Sequence, residues 1–258
     1  PLRRQRQMCI RDRPEPLHQA RVALRRLRSA FSIFKPLIGA EAARELRQGL
    51  RDLAGVLGQA RDLDVLLERA RPGPLRDRLK TEREAAYDRV EEELGSDKAR
   101  ALLLSLVEWA QSGSLLVNLD TEEKLSMPVR TFAGRALSRF RRKVKEGGRN
   151  LRHTDDEARH ELRKDAKKLR YAADFFARLF DGKREKAHQQ NFIVALEAVQ
   201  EELGALNDLA TAPLILDRLG IADDPEAPAL LAGGTKKALI AAAADAHGNL
   251  IDAGRYWR

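Results

Sequence analysis

Apolar residues recur every three or four positions along most of this chain, the spacing of a helix with one buried face. Leu24, Leu27, Phe31, Phe34, Leu37 and Ile38 share one arc, as do Leu162, Leu169, Phe176, Leu179 and Phe180. No stretch alternates convincingly with the two-residue period of a strand. Proline and glycine break the pattern at Arg71-Pro72-Gly73-Pro74, Gly113, Gly147-Gly148, Asp181-Gly182 and Asp223-Asp224-Pro225. The spacing therefore predicts helices over about 15–38, 41–70, 74–95, 97–111, 121–146, 155–180, 184–219 and 226–247. Thr154-Asp155-Asp156 can start the sixth, since their oxygens can accept from free N–H groups. The expected fold class is all-α.

The polar faces repeat. His18-Gln-Ala-Arg21-Val-Ala-Leu-Arg25-Arg26-Leu27-Arg28 matches His160-Glu-Leu-Arg163-Lys-Asp-Ala-Lys167-Lys168-Leu169-Arg170 in the spacing H-x2-R-x3-[RK]-[RK]-L-R. Further on, Leu57-Gly58 with Asp62-Leu63 matches Leu203-Gly204 with Asp208-Leu209. The chain thus reads as an internal duplication, with repeat 1 over about 14–113 and repeat 2 over about 121–250. A basic helix carrying Arg135, Arg139 and Arg142 on one face precedes the second copy. Its counterpart before the first copy would be residues 1–13, an atypical segment without a helical apolar stripe. The first repeat is expected to lack this helix and to form a weaker site, so the second copy is the stronger candidate.

At about 100° per residue, His18, Arg21, Arg25, Arg28 and Lys35 line up opposite the apolar arc, and His160, Arg163, Lys167 and Arg170 take the same places, with Tyr171 beside His160. Like charges one turn apart repel by a few tenths of a kcal/mol per pair, so an external anion would relieve them. Arginine offers a planar fork for phosphate, lysine a point charge and histidine a further donor. A lone Arg-rich helix is usually a solvated face, but repetition at one spacing with segregated charge argues for binding. Asp62, Asp64, Asn207 and Asp208 are expected to orient the basic groups rather than to catalyse.

Charge distribution strengthens this reading. Residues 1–40 hold ten Lys or Arg against two acids and residues 124–186 twenty against nine, while the remainder holds eighteen against twenty-eight. Two basic blocks on an acidic background make a focused positive field. Hydrophobic residues at 43% can supply a core. One cysteine, Cys9, excludes an internal disulfide framework, and the lack of a membrane-spanning apolar run or a signal-peptide core leads to an expected cytoplasmic setting, without membrane association.

Neither basic motif contains the clustered carboxylates that metal-dependent phosphohydrolysis needs, and there is no Gly-rich phosphate loop or Cys–His pairing. An enzyme is not expected, nor a metal site or cofactor, since the cations flanking each histidine would repel a metal ion. Nucleic acid is the principal rival ligand, but few aromatic residues stand ready to stack on bases. A helical scaffold for protein partners is a further alternative.

The duplicated H-x2-R-x3-[RK]-[RK]-L-R motif and the following L-G-x3-D-L elements strongly resemble the CHAD family, the conserved histidine α-helical domain, over about residues 14–250. The resemblance implies two pseudo-symmetric helical bundles around a basic central groove that binds inorganic polyphosphate, and a setting that includes polyphosphate granules. It places binding on His18, Arg21, Arg25, Arg26 and Arg28, and on His160, Arg163, Lys167, Lys168 and Arg170. Lys35, Lys164 and Tyr171, with Arg135, Arg139 and Arg142, complete the candidate set. Some relatives follow a triphosphate-tunnel domain, so a role as accessory domain of a triphosphate- or polyphosphate-processing enzyme is an alternative.

Overall fold

A computed structural model describes residues 14–38, 42–112, 126–230 and 235–257. Eight α-helices run through them: α1 (Pro14–Ile33), α2 (Ala42–Arg69), α3 (Pro74–Gly95), α4 (Asp97–Ser112), α5 (Val129–Gly147), α6 (Asp156–Phe176), α7 (Lys183–Arg218) and α8 (Lys236–Asp252). Short 3-10 turns occur at Leu151–His153, Ala177–Leu179 and Ala227–Leu230, and there is no strand among the described residues. The all-α expectation holds. The reading of residues 1–13 lies outside the described residues.

The chain divides into two compact units. The first takes the described residues of Pro1–Ser126 together with Asp223–Leu230. Here α1 packs on α2, and α2 packs on α3 and α4. Phe31, Ile38, Ala43, Leu46 and Leu50 are buried together, with Leu102, Leu106 and Trp109 of α4 laid against them. The Trp109 indole stacks on Phe31 with ring centroids 5.0 Å apart. α3 opens on Pro74, whose missing N–H costs nothing in a first turn. α4 begins where the Ser96 hydroxyl accepts from the Ala99 N–H at 3.0 Å.

The second unit comprises the described residues of Met127–Ala222 and Leu231–Arg258. α5 packs on α6, α6 on α7 and α7 on α8. Asp155 caps α6 by accepting from the Ala158 N–H at 2.8 Å, as the sequence leads one to expect. α8 is fastened to α5 by two bonds: Arg141 Nη2 donates to the Ile251 carbonyl at 2.8 Å, and the buried His247 Nε2 lies 3.0 Å from the Val144 carbonyl. The imidazole fills the space beside Gly148, where a Cβ would collide with the ring. Burial holds the His247 pKa below its ordinary value, with Arg141 acting the same way against the Val144 hydrogen bond.

Three helices differ from expectation by five residues or more at one or both ends. α1 stops at Ile33 rather than 38, because Pro36 cannot donate to the ladder and its ring would collide with the carbonyl four residues earlier. The chain turns there, with Leu37 N–H donating to Phe34 O at 2.8 Å. The last helix spans Lys236–Asp252 rather than 226–247. Residues 227–230 form a 3-10 turn, Thr235 caps the new start by accepting from Ala238 N–H at 3.3 Å, and Gly248 is carried through because Leu250 beyond it is buried. Residues 121–125 of the expected fifth helix lie outside the described residues, and α5 begins directly after Pro128.

Candidate functional site

In the first unit α1 carries four arginines and a single acid, Glu15, which accepts from Gln19. Arg21 is half-buried against α2, its Nη1 2.9 Å from where a Gly58 side chain would begin. A glycine there lets the guanidinium lie on the α2 backbone, which ties the H-x2-R and L-G-x3-D elements together. Burial lowers the Arg21 pKa against the attraction of Asp62, while Arg25 and Arg61 add to the lowering. Arginine keeps its charge through such shifts. Arg28 is more exposed, and its pKa is lowered by partial burial first, then by Arg51 and Arg25. His18 and Arg26 are exposed and Arg25 is half-buried. Lys35 is exposed but lies in the turn after α1, so its expected place on the helical stripe is corrected.

Behind this face lies an ionic cluster. Asp64, only 3% exposed, accepts from Arg83 Nε at 2.7 Å and from the Tyr87 hydroxyl at 3.1 Å, with Arg61 Nη1 at 3.7 Å. The Arg83 guanidinium also sits 4.3 Å over the Tyr87 ring. Burial, then the Asp64 charge, pushes the Tyr87 pKa up to about 12. Asp64 therefore organises Arg83, Arg61 and Tyr87, none of which belongs to the repeated basic motif.

α6 in the second unit has the same motif with different partners. His160 Nδ1 lies 2.7 Å from Asn207 Oδ1, so the amide of the second L-G-x3-D element orients the imidazole. Lys164 pairs with Glu161, Lys168 with Asp165 at 2.8 Å, and Arg170 with Glu197 at 2.6 Å and Asp174 at 3.3 Å. Three of the expected anion ligands are thus already engaged by carboxylates. Arg163, Lys167 and Tyr171 are half-buried. No side chain lies within 4 Å of a Cβ at Gly204, unlike Gly58.

A second cationic surface of this unit lies on α5. A cleft of about 790 Å³ is lined by Arg135, Arg139, Arg141, Arg142, Lys145 and Arg255, and no carboxylate is among the described residues that line it. Arg135, Arg139 and Arg142 are brought together here as the helical spacing implies. Arg141, Lys145 and Arg255 were not singled out by the sequence. Arg141 and Lys145 belong to the same basic run, whereas a lone arginine near the end of the chain gives no signal. Thr131, Ser138 and Trp257 complete the wall, with the Trp257 indole N–H donating to Ser138 Oγ at 2.9 Å. Burial lowers the pKa of Arg139, and burial with the adjacent Arg255 lowers that of Arg141.

Among the described residues no group of three or more His, Cys, Asp or Glu could hold a metal ion, and no helix is long and apolar enough to cross a membrane. The arrangement offers guanidinium forks and ammonium charges to an anion.

No curated protein matches the chain. Among solved structures, the crystal structure of the CHAD domain from the plant Ricinus communis aligns with a TM-score of 0.73 and 28% identity, covering 97% of this chain and 87% of that one. The CHAD domain family model matches residues 2–217, a span that takes in both H-x2-R motifs and both L-G-x3-D elements. With the helices, the paired motifs and this match in agreement, the chain belongs to the CHAD domain family.

Proposed function

We propose that this protein binds inorganic polyphosphate through the basic faces of α1, α5 and α6, and that it acts by binding rather than by chemistry. The observation that carries the reading is the α5 cleft, in which six cationic side chains meet with no carboxylate among the described lining residues. Cations kept together in this way repel one another, and a ligand bearing a negative charge on each small unit relieves several of them at once. Arg135, Arg139 and Arg142 supply bidentate forks along one helix face. The stripe of Arg21, Arg25 and Arg28, with no acid beside it on α1, offers the same chemistry. The family resemblance supports polyphosphate over other polyanions, and the scarcity of exposed aromatic rings on these faces disfavours a ligand held by base stacking.

Competition among long-chain polyphosphate, single- and double-stranded nucleic acid and free triphosphate, run across a salt series, tests this. Polyphosphate is expected to displace the others at physiological ionic strength. Nucleic acid winning there would replace polyphosphate as the ligand, and consumption of polyphosphate dependent on Mg²⁺ or Mn²⁺ would replace binding with catalysis.

A further inference from the structure

We propose that the segment following α8 is a working part of the α5 cleft, with Arg255 and Arg141 forming a guanidinium pair that grips one linear oligophosphate. This deepens the polyphosphate reading and rests on it. Arg255 comes from outside residues 2–217, so the span matched by the family model does not contain it.

The segment is well fastened. Trp257 bonds Ser138 of α5, and the Tyr256 ring packs edge-on against Phe180, Phe192 and Trp257, with centroids 5.7, 5.7 and 4.8 Å away. These contacts hold Arg255 on the cleft wall with Arg141, and no described carboxylate lines the space to balance them. Arg141 commits Nη2 to the Ile251 carbonyl at the end of α8, while its Nε is buried without a hydrogen-bond partner among the described residues. A buried donor left unmade is costly, and two neighbouring guanidinium groups repel. An anion seated between them would offset the repulsion.

The ligand's shape follows from the spread of charge. From Arg135 to Lys145 the α5 axis rises about 15 Å, so a single phosphate would meet only part of the cationic wall. A linear chain of several phosphates meets it along its length, with Arg255 supplying charge from the tail.

Calorimetric titration of the full chain with orthophosphate, tripolyphosphate and long-chain polyphosphate tests the proposal. Affinity should rise in that order. Arg255→Gln should weaken the two polymeric ligands about tenfold and flatten the slope of log affinity against log salt by about one counterion. Arg255→Lys should recover part of the loss, because the charge returns without the fork. Arg142→Glu, which leaves the tail contacts alone, should weaken binding at least as much, and Arg218→Glu at the far end of α7 should change little. Wild-type affinity in Arg255→Gln would overturn the inference, and a loss in Arg142→Glu alongside it would leave polyphosphate binding in place. A wild-type chain that binds no polyphosphate of any length would overturn both.

Discussion

α1 and α6 carry one motif and surround it differently. α1 has four arginines and Glu15, whereas α6 interleaves six lysines and arginines with five acids. On α6 the acids at positions 161, 165 and 174 answer cations three or four residues away, the spacing at which helical neighbours meet. The α1 positions that match Glu161, Asp165 and Asp174 are Gln19, Ala23 and Ser32, all uncharged. The neighbouring helices differ as well. Arg21 rests on Gly58 in front of the buried Asp64 cluster, while His160 is held by the neutral amide of Asn207. One motif can thus stand almost without acids on its own helix in one copy and among them in the other, and the spacing of the basic residues alone does not distinguish the two. The greater weight that the sequence places on the second copy shifts accordingly, from α6 toward the α5 cleft.

The largest expected effect separates the two kinds of anchoring. Asp64→Ala strands Arg83 and the Tyr87 hydroxyl in the first unit and should cost about 3–5 kcal/mol, whereas Asn207→Ala removes one hydrogen bond and should cost about 1 kcal/mol. Denaturant unfolding of the two variants checks this, and equal losses would erase the distinction. A smaller effect concerns binding. Arg21→Glu should reduce polyphosphate affinity more than about tenfold, while Arg170→Glu, at a site already engaged by Asp174 and Glu197, should change it less than about threefold. Titration calorimetry on both variants reads the ratio, and the reverse order would return the weight to α6. The smallest effect is at the paired glycines. Gly204→Ala should stabilise the chain by about 0.5–1 kcal/mol through helix propensity, with unchanged affinity. Gly58→Ala should displace the Arg21 guanidinium and weaken binding severalfold, so a Gly58→Ala chain with wild-type affinity would detach the seat from the function.

The helical architecture was legible because apolar spacing and punctuation are local. Six of the expected helices start within two residues of their observed starts. Pro36 ended α1 early through a backbone constraint that the apolar stripe conceals, and the 3-10 turn at Ala227–Leu230 imitates the first turn of a helix. In the site, the α5 face could be read from i, i+4 and i+7 spacing. The seat of Arg21 on Gly58 and the place of Arg255 could not, since each depends on contacts between elements far apart in sequence. The ion pairs of α6 were within reach of the sequence: Glu161, Asp165 and Asp174 stand at pairing distance from the cations, and attention to the basic residues alone passes over them.

The chain has two tryptophans, and the fold gives one to each unit. Trp109 is stacked on Phe31, beneath the motif helix α1, and Trp257 borders the α5 cleft. Each unit therefore carries its own intrinsic fluorophore. Replacing either indole with phenylalanine leaves an emission signal that reports on the other unit, so melting of the two halves, and the response of the cleft to an anion, can be followed separately without attaching a dye.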